Sequence, residues 1–433
     1  MAPPGPKRSI PDCEVSSLPH RKLLFIAYHF PPFQGSTGAT RTVAFSKYLK
    51  QYDWDVCVLT IQPSAYENTS SENESLIPQW VKVERAWGFD SRRSLAIRGK
   101  YPRLLGLPDR WQSWIVGGFV KGSRIIKSWK PDLIMTTYPI PSAHVIGYLL
   151  YRKFHLPWVA EFRDPMLQPN YPVNTWERKA FAKIEQLAFT YAEEVVVTTG
   201  GCKQMYLDRF PITSKISMIS NGYDPEMFAE IPSTPGATSS DGLVLLHSGL
   251  LYPHERNPTP FFNAIQSLSQ SGFLADIKVE FHFRASGNEE DYLQTVKRLG
   301  IDSWVRILPR IPYAKALEEM TNADALMLFQ ADNCNDQIPA KTYEYMYCRK
   351  PILAFTSPAG DTAKLLSSVG VRNIAKLEDS AAIEKELQVF LRQLQIGKAF
   401  IVSNDDVRRF SRKALTGDLS RVLTRALSST KRA

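Results

Sequence analysis

The chain has 433 residues, 44% of them hydrophobic, and 53 Lys and Arg against 43 Asp and Glu give a net charge of +10. That length exceeds one ordinary core and implies two domains, while the positive balance favours nucleotides, nucleic acid or anionic membrane surfaces as partners. Five cysteines, none in a C-x-x-C pair, argue against a zinc or disulfide framework and fit a reducing compartment.

Residues 1–20 are Pro-rich without an apolar core and read as a disordered tail, not a signal peptide. No apolar run approaches the roughly 18 residues needed to span a bilayer. The expected location is cytoplasmic, free or peripheral on the inner face of the membrane.

From residue 21 onward, short apolar runs alternate with helical patterns. LLFIAY (23–28), VCVLT (56–60), LIMTT (133–137), WVAEF (158–162) and VVVTT (195–199) read as strands buried on both faces of a parallel sheet. Phe181, Ile184, Ala188 and Tyr191 recur at helical spacing between two of them. The Pro-, Ser- and Gly-rich segment 230–242 reads as a linker. The alternation then restarts with LVLLHS (243–248), IKVEFHF (277–283), WVRIL (304–308), DALMLF (324–329) and PILAF (351–355). The expected class is α/β, with two doubly wound, Rossmann-like domains over 21–229 and 243–405. A basic helical tail over 406–433 follows, placed back on the first domain.

In such sheets ligands sit beyond the carboxyl ends of the strands. After the first strand, Gly35 and Gly38 lie in a polar loop before a helix beginning near Ala39. Glycines let backbone N–H groups approach an anion, although a plain connecting loop fits equally well. The loop is neither G-x-G-x-x-G nor a P-loop. Arg163 and Asp164 close the fourth strand, as a surface ion pair or as functional groups. In the second domain Gly249 follows the first strand, and Arg256 precedes the next helix, where it can clamp a diphosphate or stay solvated.

The stretch DQIPAKTYEYMYC places Asp336 and Glu344 eight positions apart. The helix is expected to start near Pro339. Glu344 then lies beyond the first turn, where complementing the helix dipole explains it poorly and accepting from two ribose hydroxyls explains it well. Asp53-Trp54-Asp55 is a D-x-D at the amino edge of the sheet, so it reads as a turn and no metal site is expected. Residues 91–130 hold ten Lys and Arg, one acid (Asp109) and Trp111, Trp114 and Trp129. This segment suits an anionic membrane surface, or a solvated helix face with core tryptophans; no nucleic-acid motif accompanies it.

Taken together, YHFPPFQGSTGATRTVAFSKYL, PWVAEFRDPM, ISNGYDPEMF, LLHSGLLYPHERNP and IPAKTYEYMYCRKPILAF resemble the GT-B-fold retaining glycosyltransferases of family 4, from Lys22 to about Ala414. The resemblance implies transfer of a sugar from a nucleotide-diphosphate donor to a glycan or lipid-linked acceptor, in polysaccharide or glycoconjugate biosynthesis. It implies no cofactor beyond the donor and no obligatory metal. The family's E-x7-E pattern falls on Asp336 and Glu344, which places Glu344 at the nucleotide ribose and Asp336 near the donor sugar. The family's paired cations fall on Leu250 and Arg256, so the first is missing, and Arg284 is the nearest candidate to replace it. Gly35, Gly38, Gly249 and Lys341 are expected at the donor, and Asp164 at the sugars, with Asp164, Arg256 and Asp336 as the catalytic set. A sugar-nucleotide 2-epimerase of the same fold and a non-catalytic membrane-surface adaptor are the rival readings.

Overall fold

The computed structural model describes residues 20–34, 37–95, 106–212, 215–229, 231 and 242–430. Gly35 and nearly all of the 230–242 segment fall outside them. Among the described residues the chain forms two sheets. The first contains β1 (Arg21–Ile26), β2 (Trp54–Ile61), β3 (Lys82–Ala86), β4 (Leu133–Thr137), β5 (Trp158–Phe162), β6 (Glu194–Val197) and β7 (Ile216–Met218), in the order β3-β2-β1-β4-β5-β6-β7. The second contains β8 (Leu243–Ser248), β9 (Val279–Arg284), β10 (Val305–Leu308), β11 (Ala325–Phe329), β12 (Ile352–Phe355) and β13 (Ile374–Ala375), in the order β10-β9-β8-β11-β12-β13. All pairings within both sheets are parallel.

The central strands match the apolar runs because each is covered by helices on both faces. Three strands lack such a run: β3, β7 and β13, each at a sheet edge. An edge strand is half solvated, so β3 carries Lys82, Glu84 and Arg85, while β7 and β13 are only three and two residues long. The strand order reverses between β1 and β4 and again between β8 and β11, which opens a crevice at each carboxyl edge.

The last helix, Arg412–Thr430, returns to the first domain. Its Leu415, Leu419, Val422, Leu423 and Ala426 pack against Leu23, Phe25 and Val196. Arg425 pairs with Glu194 at 2.9 Å, and the Trp54 indole donates to Ser420 Oγ at 3.2 Å. The chain therefore crosses between domains twice, and the crossings lie side by side. Arg412 N donates to Tyr223 O at 2.8 Å, and a Cβ on Gly222 would stand 2.2 Å from Phe410 O, so only glycine permits that approach. Arg41 fastens the first crossing to its sheet. It pairs with buried Glu161 at 2.9 Å and donates to Ser220 O and Ile219 O.

The basic segment resolves in favour of a packed helix where it is described. In the helix Ser113–Trp129, Trp114 is fully buried and Trp129 is half-buried, and Trp111, in the turn before it, is half-buried against the same core. Gly118 and Gly122 let this helix close on Ile146 and Leu150. Residues 96–105 lie outside the described set. Of Asp53-Trp54-Asp55, only Asp53 is in the turn, at φ +60°; Trp54 and Asp55 already open β2.

Candidate active site

A cavity of about 450 Å³ lies at the carboxyl edge of the second sheet, lined by Gly249, Arg256, Tyr313, Lys341 and Glu344 among others. β8 delivers the chain to Gly249, which turns at φ +109°, a conformation that favours glycine. A Cβ there would sit 3.0 Å from Lys341 Nζ, so the turn and the lysine are in contact. The Gly249 N–H is already given to Arg284 O at 2.8 Å, and its contribution is the shape of the turn rather than a donor.

Two cations flank this turn. Arg256 donates from Nη1 to Leu250 O at 3.3 Å and lies over the Tyr252 ring, with no ion pair among the described residues. Lys341, in the first turn of the helix Ala340–Tyr347, donates to Ser248 O at 2.8 Å and lies 3.3 Å from His247 Nε2. Burial, and then the Arg256 charge, hold the lysine well below its ordinary pKa. His247 is fully buried, and burial followed by the Lys341 charge keeps it neutral. Both ring nitrogens face backbone carbonyls, Nδ1 at 2.9 Å from Met327 O and Nε2 at 3.0 Å from Gly249 O, so the single N–H of the neutral ring is given to one of them. Pro339 serves as N-cap of this helix rather than its first residue.

Glu344 faces the same cavity. Its Oε1 accepts from the Tyr313 hydroxyl at 2.7 Å, and its other oxygen makes no hydrogen bond among the described residues. Burial and the Glu344 charge push the Tyr313 phenol well above its usual value, so it stays a donor. Arg284 cannot replace the missing cation. Its guanidinium is spent on Glu319, at 2.9 and 2.7 Å, and on Pro309 O.

Asp336 and Glu344 do not share a cavity. Asp336 lines a second one, about 650 Å³ between the domains, together with Asp164, Glu255, Tyr138 and Tyr171. The loop is held in this shape by Gln330, which is buried and donates from Nε2 to Cys334 O at 2.6 Å and Gln337 O at 2.9 Å. The two domains meet here. Thr199 Oγ1 donates to Asp336 O at 2.6 Å, and Asp361 accepts from Gly201 N at 2.5 Å. A Cβ on Gly201 would stand 2.4 Å from Asp336 Oδ1.

Asp164 leaves the end of β5 without a hydrogen bond among the described residues, and burial raises its carboxyl pKa against the lowering effect of Arg163. Arg163 turns away from it, donating to Tyr138 O at 2.6 Å and lying 3.2 Å from His29 Nδ1. Gly38 makes room for that guanidinium, since a Cβ would fall 1.7 Å from Nη1. Packing therefore accounts for a glycine at this position. Tyr313 and the Gly201–Asp361 contact carry no sequence signal, because each acts on a residue distant along the chain.

Two facing parallel-sheet domains, with a cation-flanked cavity in the second and a polar cavity between them, define a GT-B fold. Residues 38–227 match the family model described as Glycosyltransferase Family 4. The chain is thus a GT-B-fold protein whose residues 38–227 are similar to Glycosyltransferase Family 4. Solved structures agree on the fold. Sucrose-phosphate synthase (tll1590) from Thermosynechococcus elongatus superposes with a TM-score of 0.65 at 12% identity, covering 94% of this chain and all of the other. Anabaena Alr3699/HepE in complex with UDP and glucose gives 0.65 at 15% identity, with 94% and 100% covered. The lipopolysaccharide outer core galactosyltransferase WaaB gives 0.59 at 13% identity, with 93% and 99% covered. Among curated proteins no relative matches in sequence.

Proposed function

We propose that this protein is a retaining glycosyltransferase that moves a hexose from a nucleoside-diphosphate donor to a glycan or lipid-linked acceptor in polysaccharide or glycoconjugate synthesis. The carrying observation is the second-domain cavity, with an acceptor carboxylate, Glu344, and two cations, Arg256 and Lys341, around one glycine turn. Glu344 takes the ribose hydroxyls, and the cations take the diphosphate. The structural likeness to a protein solved with UDP and glucose supports this reading.

In the reaction the acceptor hydroxyl approaches the anomeric carbon on the leaving-group face. The bond from that carbon to the phosphate oxygen breaks, its electron pair stays with the diphosphate, and the acceptor proton passes to a phosphate oxygen. Positive charge grows on the sugar ring while negative charge grows on the diphosphate. Arg256 and Lys341 stand where the negative charge develops, a preorganised arrangement that needs no reorientation during the step. Asp164 and Asp336 face the ring from opposite domains. Closure about the paired crossings brings the two halves together and excludes water.

Peripheral attachment to the inner membrane surface fits the helix Ser113–Trp129. Val116 and Val120 are exposed on one stripe with Arg124 and Lys127. No helix among the described residues is long and apolar enough to cross a membrane. Arg256 and Lys341 together in the donor cavity favour the transferase over the non-catalytic adaptor. A 2-epimerase would convert the donor with no acceptor present.

The test is calorimetric binding of UDP and GDP to the wild type and to Glu344→Ala, with the anomeric configuration of any transfer product read by proton NMR. The substitution should weaken nucleotide binding by about 1.5–3 kcal/mol, the scale of a hydrogen bond to a charged group. Equal affinities would refute the ribose role, and an inverted anomer would refute retention.

A further inference from the structure

A third cavity, of about 570 Å³, lies where the chain crosses between the domains. Three pieces of chain wall it. Tyr223 and Phe228 come from the first crossing, Asn404 and Arg408 from the approach to the second, and Tyr347 to Lys350 from the carboxyl end of the helix Ala340–Tyr347. It shares no lining residue with the donor cavity or with the interdomain cavity.

The lining holds Arg349, Lys350 and Arg408 and no Asp or Glu. Arg349 and Lys350 make no ion pair among the described residues. Arg408 meets Asp405 only at 3.8 Å, with both side chains largely exposed, a pairing of little strength. A single cation would complement the carboxyl end of the helix, and three exceed that need. Like charges gathered around one cavity repel each other and attract an anion. Arg349 is also held at a cost. It follows the C-cap Cys348 at φ +57°, a left-handed backbone that glycine adopts more readily. Its Nη1 donates to Asn404 Oδ1, while its Nε is buried without a hydrogen-bond partner among the described residues.

The aromatic wall points the same way independently. The rings of Tyr223 and Tyr347 stack at 4.3 Å, and Phe228 lies 4.5 Å from Tyr347. Tyr223 is only 3% exposed, yet its hydroxyl makes no hydrogen bond among the described residues. Burial and Tyr347 push this phenol up to about 12, with Arg408 opposing them, so it keeps its proton and can donate. A hydroxyl set so deep is costly to leave unpaired.

We propose that this cavity is a second ligand site, for a small phosphate monoester carried on a flat apolar body. The phosphate accepts from Arg349, Lys350, Arg408 and the Tyr223 hydroxyl, and the body lies against Tyr347 and Phe228. A phosphate monoester suits the cluster better than a carboxylate, because it brings nearly two negative charges and three terminal oxygens to donors on three pieces of chain.

The experiment is calorimetry on the full chain with phenyl phosphate as the probe and inorganic phosphate beside it. Phenyl phosphate should bind at least about threefold more tightly than inorganic phosphate, which lacks the ring. Lys350→Met combined with Arg408→Met should weaken phenyl phosphate binding at least about tenfold, and Tyr223→Phe at least about threefold. Arg256→Met, in the donor cavity, should leave it within about twofold of wild type. Thermal unfolding verifies that each variant is folded, and Tyr223→Phe, which keeps the ring stack, serves if the double variant does not fold. Absence of phenyl phosphate binding overturns the inference, as does an affinity unchanged by the Tyr223 and double substitutions or lost in Arg256→Met alone. Equal affinities for phenyl phosphate and inorganic phosphate overturn it as well, leaving an adventitious ion only.

Discussion

Lys341→Met isolates the cation that the family pattern lacks at Leu250. The ammonium spends one N–H on Ser248 O, 2.8 Å away, and lies 3.3 Å from His247 Nε2. It has no carboxylate partner at ion-pair distance among the described residues, and a further donor remains for a phosphate oxygen. A hydrogen bond to a charged group is worth about 1.5–3 kcal/mol, so the substitution should weaken UDP binding roughly 10- to 150-fold. Methionine keeps the stem's bulk, so the helix Ala340–Tyr347 should stay in place. Leu250→Arg in the same chain restores a cation on the opposite side of the Gly249 turn and should recover much of the loss. A second signature is protonic. Burial and Arg256 lower the lysine pKa, with Glu344 opposing them. A bound diphosphate raises that pKa again, so binding takes up a proton and affinity falls as pH rises. Folding stability behaves oppositely: the depressed lysine binds fewer protons than in the unfolded chain, so stability increases with pH up to the ordinary lysine value of 10.5. A methionine variant binding UDP within twofold of wild type (roughly 0.4 kcal/mol), with the same buffer-dependent enthalpy, would refute this role for Lys341.

Arg41→Met leaves Glu161 buried without its partner and frees the carbonyls of Ile219 and Ser220. It should destabilise the fold by about 3–5 kcal/mol, read as a lower Tm, and an unchanged Tm would show that the pair is dispensable. For the membrane surface, flotation with anionic vesicles should be salt-sensitive and weaker for Val116→Ser with Val120→Ser. Flotation unaffected by either change would remove the Ser113–Trp129 helix from the contact.

The legible parts of this protein were those governed by local rules. A strand buried on both faces must be apolar along its length, and β11 and β12 show it. Edge strands obey no such rule, which is why β3, β7 and β13 escape notice. Glu344 stood out because a carboxylate beyond the first turn of a helix among tyrosines has no local justification. Arg284 misled for the converse reason: an arginine ending a strand looks available until Glu319, 35 residues later, is found holding it.

The sequence by itself determined the α/β class, the two alternating halves and the carboxyl-edge location of the chemistry, because periodicity and strand ends are properties of neighbouring residues. Only the tertiary structure decided which charges are free. Ion pairs and hydrogen bonds are made by residues far apart in the chain, so no spacing rule reveals that Arg284 is occupied and that Lys341 has no carboxylate partner. The same holds for Asp336: its eight-residue spacing from Glu344 is local, but Gln330 and Thr199 turn it toward the other domain and into the interdomain cavity.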